Sequence, residues 1–483
     1  MCGKMQLNPS NIQEHLQQLG KKEARILLKE WIYNSNEEAL REKALNVLGS
    51  IDEGDKYSFF ELLFLSDANL TISLTAGKIL SKKYGDHKKL LPLLQYTLEQ
   101  VDNIEKKLLV IEILKKMGNH ASSRILKDFL AIKLRSLPEK AIGNLSIESV
   151  FEKKNQLEKR LIDVCINLIL YQYYIEKCGF NVTLQNGRII LLNCEGAGFK
   201  SIGEIPAIKR LVRLKHLILK RNKISKIEGI QHLKYLQILD LSDNQLSEID
   251  SLAYLPNLKD LILTNNKIER IKNVNTLQNL RKLAINYNAL TEIQDISGLG
   301  HLEDLNLNNN QITHISGLRD LPRLEKLNLS FNQITKISGL QQLENLHWLH
   351  LNNNRIEKIE GLANLTQLKG LYLSNNQIQQ IENLENLREL RKIELSNNKI
   401  VQIEGLETLQ KLQELFLDNN QIEEISGLEK LRQLIILFLK SNNIRHFNKD
   451  MIEELHNLNF IFLNDNPLTH ESKKCYNRRS RYP

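Results

Sequence analysis

LHLNNN at residues 349–354, LYLSNN at 371–376, IELSNN at 393–398 and LFLDNN at 415–420 repeat one pattern every 22 residues. The asparagine that ends each motif belongs to a longer series, evenly spaced by 22 residues until a last step of 24. Repetition in phase over this length predicts a solenoid in which each coil stacks on its neighbours. The series comprises Asn222, Asn244, Asn266, Asn288, Asn310, Asn332, Asn354, Asn376, Asn398, Asn420, Asn442 and Asn466.

Apolar residues within one coil indicate which parts face the core. The final pair, Leu327 and Leu329, has the period of two that is typical of a strand with one buried face. Stacked coils would join these strands into a parallel sheet at roughly 4.8 Å spacing. The seven inward positions of this coil are Ile312, Ile315, Leu318, Leu321, Leu324, Leu327 and Leu329.

Two polar positions mark the turns of each coil. The repeated asparagine follows the strand, where its amide can both donate to and accept from the neighbouring coil, so we predict a structural hydrogen-bond ladder. Seven residues later stands a glycine or a residue that tolerates a left-handed backbone. This second position holds Gly229, Ser251, Asn273, Asp295, Gly317, Gly339, Gly361, Asn383, Gly405 and Gly427.

The segments LEKLNLSFNQITKISGLQQL (324–343) and IELSNNKIVQIEGLETL (393–409) resemble leucine-rich repeats of the 22-residue class. They are similar to the repeats of the Sds-type regulator of protein phosphatase-1 and to those of bacterial internalins, over about residues 208 to 468. The resemblance implies an α/β horseshoe whose parallel sheet lines the concave face. It also implies protein binding, although such repeats bind many unrelated partners.

The N-terminal part has helical periodicity instead. Segments 38–49, 70–85 and 104–118 are amphipathic, follow Asn or Asp or lie near it, and end near Gly, with alternate helices expected at 56–65, 87–101 and 122–134. Leu48, Leu80 and Leu114 occupy matching places, which favours a HEAT-like array of helix pairs over a non-repeating bundle. The predicted domains are a helical domain at 1–145, a linker and capping helix at 146–180, the solenoid at 181–470 and a basic tail at 471–483.

We expect the two ends of the solenoid to be covered differently. A helix that follows the linker at 136–146 and ends at Gly179 is expected to cover the first coil, because an uncovered end exposes apolar residues. EGAG at 195–198 is expected to form the turn of that coil. At the other end, the sequence is expected to stop before a capping helix can form, leaving a basic tail.

Composition and motifs argue against several function classes. The net charge of +9 is spread along the chain and mixed with acids, so nucleic-acid binding is not expected. Five cysteines without CxxC spacing and an N-terminus without an apolar core favour a cytoplasmic, unanchored protein. GSIDEGDK at 49–56 has Asp55 where a phosphate loop requires lysine, and His347 and His350 have no third ligand. We therefore expect no enzyme activity, metal or cofactor.

The residue between the two apolar residues of each strand pair, such as Asn328 between Leu327 and Leu329, is expected to point away from the core on the concave side. Its identity changes from coil to coil. In the second half of the solenoid these residues form a column of rings broken by acids, which has the composition of a protein-binding patch. Packing of the rings on one another is the alternative reading. The predicted binding residues are Trp348, His350, Tyr372, Glu394, Glu414, Phe416, Asp418, Phe438, Phe460 and Phe462.

The succession Tyr372, Glu394 and Phe416 is also similar to the ring, acid and ring by which the Sds-type regulator holds the phosphatase. The resemblance therefore implies a metallophosphatase catalytic subunit as partner, although His350 stands where that regulator has an acid. The expected function is a non-enzymatic scaffold or adaptor that binds one or more proteins and no small-molecule substrate. An internalin-like surface adhesin and an RNA-associated protein are the alternatives.

Overall fold

The computed structural model describes residues 20–51, 55–137, 150, 157–249, 252–447, 450–452 and 455–479. The chain divides into two compact units, Met1–Ile190 and Leu191–Pro483. Most of the predicted linker at 136–146 lies outside the described residues, as do the turn residue Ser251 and the last four residues of the tail.

The first unit is built mainly from α-helices. They are α1 (Lys21–Asn34), α2 (Glu38–Ser50), α3 (Tyr57–Ser66), α4 (Leu70–Lys83), α5 (Leu90–Gln100), α6 (Ile104–Met117), α7 (His120–Ser136) and α8 (Leu157–Glu176). α2, α4 and α6 are neighbours, and α8 packs on α6 and α7. α1 packs on α2, α3 on α4 and α5 on α6, so successive helices form pairs.

Local signals explain where several of these helices begin and end. The side chains of Asn69 and Asn103 accept hydrogen bonds from Ile72 N and Lys106 N at the first turns of α4 and α6. Gly118 ends α6 in the left-handed conformation at φ +54°. The helices predicted around 38–49, 70–85 and 104–118 are confirmed, and their leucines at 48, 80 and 114 are buried.

The polar residues inside the apolar helix α8 make hydrogen bonds within the first unit. Asp163 accepts from Arg188 Nε at 2.6 Å, and Asn167 Oδ1 accepts from Ile189 N at 2.8 Å. These bonds connect α8 to the chain that follows strand β1 (Asn181–Gln185). Among the described residues, none of the helices is both long and apolar enough to cross a bilayer.

The second unit is a parallel solenoid with one three-residue strand per coil from β3 onward. Each strand pairs with that of the preceding coil, and equivalent residues stand opposite each other, as Leu349 opposite Leu371. The strands are β2 (Arg188–Asn193), β3 (His216–Ile218), β4 (Ile238–Asp240), β5 (Asp260–Ile262), β6 (Lys282–Ala284), β7 (Asp304–Asn306), β8 (Lys326–Asn328), β9 (Trp348–His350), β10 (Gly370–Tyr372), β11 (Lys392–Glu394), β12 (Glu414–Phe416), β13 (Ile436–Phe438) and β14 (Phe460–Phe462).

The core of the solenoid is the stack of the seven apolar positions. From Ile312 to Leu329 these side chains are at most 4% exposed. Turns and single turns of 3₁₀-helix complete the coils in the described part of the solenoid. The alternating apolar residues therefore form the strands, and short turns form the rest of each 22-residue coil.

Two turn positions have a left-handed backbone in the coils whose turns the structure describes in full. The predicted one includes Gly361 at φ +71° and Asn383 at φ +58°. The second lies directly before each ladder asparagine and was not predicted. It holds asparagine in several coils but Tyr287 at φ +56° and Phe331 at φ +55° in two others, although bulky side chains disfavour this conformation.

The expectation that the chain stops before a capping helix is wrong. Residues His470–Arg479 form helix α9, and Ser472 Oγ accepts a hydrogen bond from Phe447 N at 2.9 Å. Tyr476 packs edge-on against Phe447, and its hydroxyl accepts from Leu463 N at 3.2 Å. These contacts cover the last coil, so part of the predicted tail is a cap rather than a free extension.

Candidate functional site

The twelve asparagines form a continuous ladder along the second unit. Asn332 is representative: its Nδ2 donates to Leu307 O in the preceding coil and to Leu329 O in its own coil. Its Oδ1 accepts from Ile312 N in the preceding coil at 2.9 Å. The same bonds recur down the series, and even Asn222 accepts from the irregular first coil through Phe199 N. The ladder is therefore internal to the solenoid and presents no amide to a partner.

Eight of the ten predicted binding residues lie in three clusters on the concave side of β9–β14, together with Gly370 and Lys392, which were not predicted. We call them the Trp348 cluster (Trp348, His350, Gly370 and Tyr372), the Lys392 cluster (Lys392, Glu394 and Glu414) and the Phe438 stack (Phe416, Phe438 and Phe462). Their side chains are half-buried on the sheet, whereas Phe460 beside them is 40% exposed. Parallel pairing of the strands places the three clusters in sequence along one surface.

In the Trp348 cluster, the rings cover each other. The imidazole of His350 stacks on the Tyr372 ring at 4.0 Å between centroids, with 13° between planes. The Trp348 and Tyr372 rings are 6.4 Å apart. The indole lies over Gly370, where a Cβ would come within 2.5 Å of Trp348 Cε3. His350 is therefore half-buried in this cluster and stacked on Tyr372.

Replacing Gly370 by valine should displace the indole of Trp348, because Cβ and the ring cannot occupy the same volume. We expect a red shift of Trp348 emission and a loss of about 1–2 kcal/mol in unfolding free energy. The measurement is fluorescence during urea unfolding in a Trp31→Phe background, so that Trp348 is the reporter. Gly300→Ala is the control, since nothing lies within 4 Å of a Cβ there. An unshifted spectrum for Gly370→Val would contradict this packing.

Burial of His350 lowers its pKa, and the nearby Lys326 and Lys392 lower it further. The folded state therefore favours neutral His350, and its contribution to stability is present above the unfolded pKa of about 6.5 and is lost as pH falls below it. We expect His350→Gln to reduce the loss of unfolding free energy between about pH 7.5 and about pH 5.5. His216 and His232, whose pKa values are also lowered, affect both proteins equally. Parallel pH profiles would exclude this role for His350.

The Lys392 cluster contains a residue that sequence reasoning missed. Lys392 Nζ lies 3.1 Å from Glu394 Oε1 and 3.1 Å from Glu414 Oε2. It also lies 4.7 Å from the centroid of the Phe416 ring and 5.8 Å from that of Tyr372. Burial acts to lower the pKa of Lys392, but the hydrogen bonds to Glu394 and Glu414 outweigh it and the pKa is raised. The acids that interrupt the rings thus share one cation, which reduces the negative charge offered to a partner.

The Phe438 stack is the most apolar part of the surface. Phe438 lies 4.8 Å from Phe416 and 4.3 Å from Phe462 between ring centroids, with 14° and 15° between planes. Asp418, beside the stack, accepts from Lys440 N at 2.7 Å, and burial raises its pKa. Asp418 Oδ1 therefore binds the backbone of the next coil.

The described residues hold no group of three or more His, Cys, Asp or Glu side chains that could bind a metal ion. His347 and His350 have different neighbours: His347 Nδ1 is 4.0 Å from Glu325 Oε2, whereas His350 stacks on Tyr372. What the arrangement offers is a rigid surface of rings and paired charges.

Family models match the second unit over much of its length. The model described as "Leucine rich repeat" matches residues 212–268 and 278–334. The model "Leucine Rich repeats (2 copies)" matches 344–386 and 388–430. The second unit is a leucine-rich repeat domain. A search among curated proteins found no match.

Solved leucine-rich repeat structures share this fold. The internalin inlF of Listeria monocytogenes is 29% identical, with a TM-score of 0.51, over 62% of this chain and 88% of that one. The leucine-rich repeat domain of APL1B is 24% identical, with a TM-score of 0.51, over 60% and 86%. TLR13 in its complex with ssRNA13 is 22% identical, with a TM-score of 0.50, over 57% and 47%. The last two likenesses concern the fold alone.

Proposed function

We propose that this leucine-rich repeat protein is a non-enzymatic scaffold or adaptor that binds another protein through the concave side of β9–β14. The observation that carries the proposal is the row of half-exposed rings, from Trp348 through Tyr372 to Phe462, on a preformed sheet. Leucine-rich repeat domains generally mediate protein–protein interaction, and aromatic residues in such surfaces are frequent binding hot spots.

The charges of the surface suit a partner that brings a basic group. Glu394 and Glu414 retain oxygens beside Lys392, so a basic group of the partner can replace or join this cation. The Phe438 stack and exposed Phe460 would bury apolar side chains of the partner. Binding would thus combine an apolar anchor with a charge pair that fixes orientation.

A metallophosphatase catalytic subunit is the partner that we propose first. The proposal rests on the resemblance of Tyr372, Glu394 and Phe416 to the contact residues of the Sds-type regulator. We further propose a cytoplasmic location. We also propose a HEAT-like character for the helical unit, which its successive helix pairs support. An adhesin-like role is the second candidate, favoured by the similarity to internalin inlF.

The test compares two triple variants on the same face. Tyr372→Ala, Glu394→Ala and Phe416→Ala remove contacts from the proposed surface, whereas Ile218→Ala, Ile262→Ala and Asn306→Ala remove outward strand residues in the first half. Calorimetric titration with purified metallophosphatase catalytic subunit should show at least about 30-fold weaker binding for the first triple only. Circular dichroism checks the fold of both variants.

Capture from native lysate extends the test to other partners. Proteins retained by wild type and the control triple, but lost from the first triple, would support the concave face. If such partners are lost from the first triple but the phosphatase does not bind wild type, the phosphatase is excluded as the partner and the scaffold proposal stands. An identical set of captured proteins for all three would refute the proposed face.

A further inference from the structure

Tyr287 and Phe331 occupy the left-handed turn position directly before the ladder asparagine, at φ +56° and +55°. Bulky side chains disfavour this conformation. The other described coils have polar residues there, namely Arg221, Asp243, Asn265, Asn309, Asn353, Asn375, Asn397, Asn419, Ser441 and Asp465. The two rings are nevertheless 54% and 51% exposed. They are thus held in solvent on a strained backbone, and residues in such conformations cluster at functional sites.

Neither ring has a polar or aromatic partner within the fold. The side chains of Tyr287, Phe331 and Asn309, which lies on the coil between them, make no hydrogen bond, ion pair or ring contact with the residues that the structure describes. No charged residue stands within two positions of any of the three in the sequence. The two rings and the amide therefore form an uncharged surface beside the ends of β6–β8, which we call the edge patch.

Backbone hydrogen bonds fix the spacing of the turns in the edge patch. Tyr287 N donates to Asn308 O at 3.0 Å, and Asn309 N donates to Ser330 O at 3.0 Å, so the three turns lie on successive coils. Stacked coils are roughly 4.8 Å apart, which places the backbones of the two aromatic residues roughly 10 Å apart. Asn309 lies halfway between them.

The Phe438 stack shows what this spacing accommodates. There, rings on successive coils stack at 4.8 and 4.3 Å between centroids. In the edge patch the first and third rings of such a series are present, and asparagine occupies the middle coil. A ring supplied from outside and placed over Asn309 would lie about 5 Å from each of its neighbours, which is within the range of aromatic pairs.

We propose that the edge patch binds an uncharged segment of a partner protein by taking one of its aromatic side chains between Tyr287 and Phe331. The amide of Asn309 would form a hydrogen bond with the backbone of that segment. A charged segment would lose hydration at this surface without gaining a partner of opposite charge. The edge patch belongs to the coils of β6–β8, so this proposal goes beyond the binding proposed for β9–β14.

The probe is the uncharged peptide acetyl-Gly-Ser-Trp-Ser-Gly-amide, whose Kd for the full chain is measured by NMR titration of the indole protons. We expect Tyr287→Asn with Phe331→Asn to raise the Kd about fivefold or more, because asparagine suits the turn but offers no ring. The control pair, Tyr96→Gln with Tyr254→Gln, removes two rings that are 54% and 57% exposed elsewhere and should change the Kd less than about twofold. Asn309→Phe fills the gap from within and should also raise the Kd. Circular dichroism checks the fold of every variant.

Four results would overturn the proposal. Equal weakening by the two pairs of substitutions would mean that any exposed ring binds the peptide. An equal Kd for the peptide with leucine in place of tryptophan would mean that ring stacking plays no part, and an unchanged Kd for Asn309→Phe would place the indole outside the gap. Absence of peptide binding would reject a protein segment as the occupant, and binding of a uridine decamer instead would assign the edge patch to single-stranded RNA. None of these results bears on the concave face, whose test uses different residues.

Discussion

Replacing Asn376 by leucine is expected to lower the free energy of unfolding of the solenoid by about 2–3 kcal/mol. Asn376 Oδ1 accepts from Ile356 N at 3.0 Å, and its Nδ2 donates to Leu351 O and Leu373 O. Each of these carbonyls also accepts from a second ladder asparagine, but Ile356 N loses its partner and is buried. Leucine fills similar volume, so the loss arises mainly from unsatisfied polar groups.

The matched control for this prediction is Asn364→Leu. Asn364 Nδ2 also donates to a backbone carbonyl one coil away, Gln341 O at 3.0 Å, but the bond is exposed to water. We expect a loss below about 1 kcal/mol there, because water replaces the amide. Urea unfolding followed by Trp348 emission, with Trp31→Phe in every protein, measures the second unit. Equal losses for the two variants would show that burial of the ladder contributes nothing.

Gly361→Ala is expected to destabilise the solenoid by about 2–4 kcal/mol through two additive causes. Gly361 has a left-handed backbone at φ +71°, and a Cβ would lie 2.5 Å from Ile337 O of the preceding coil. Gly196→Ala has the first cause only, since φ is +69° with open space around it, and should cost about 1 kcal/mol. Gly300→Ala has neither cause. The same urea measurement applies to all three.

A larger side chain at residue 361 should be tolerated better than alanine if it is asparagine. One coil further along, Asn383 occupies the equivalent turn at φ +58°, and its Nδ2 donates to Ile359 O at 2.7 Å. That carbonyl corresponds to the one that alanine at residue 361 would strike. We therefore expect Gly361→Asn to be about 1 kcal/mol more stable than Gly361→Ala. The reverse order would show that steric volume alone decides at this turn.

Periodicity made most of the solenoid predictable. Seven apolar positions, an asparagine and a turn residue repeat in phase, and each repetition supports the same reading of strand, ladder and turn. The second left-handed position was missed because Tyr287 and Phe331 give no local sign of it. Their backbone N–H groups donate to Asn308 O and Asn352 O of the next coil, which are contacts that the local sequence does not reveal. Helix α9 was missed because its contacts, through Ser472 and Tyr476, depend on tertiary packing.

The candidate surface was predictable in outline only. The alternation of apolar and other residues along each strand indicated which side chains face outward. This placed Tyr372, Phe416 and Phe438 on one side of the sheet. The prediction also included Trp348, Glu414 and Phe460, which lie two residues earlier on the same side of the sheet, but it did not include Gly370 and Lys392 at the equivalent positions of β10 and β11. That omission hid Lys392 between two carboxylates and Gly370 beneath the indole. Comparing both outward-facing residues of each strand, in the order in which the strands pair, would have identified Lys392 and Gly370.

The parallel stacking of Phe416, Phe438 and Phe462 has a consequence for the thermodynamics of association. Side chains that must become ordered on binding reduce affinity, by about 0.5–1.5 kcal/mol for each one that is immobilised. These rings already restrict one another on a sheet whose spacing is fixed by backbone hydrogen bonds. Their rotamer entropy is thus lost when the domain folds, and a partner would meet a template that is already in its bound shape.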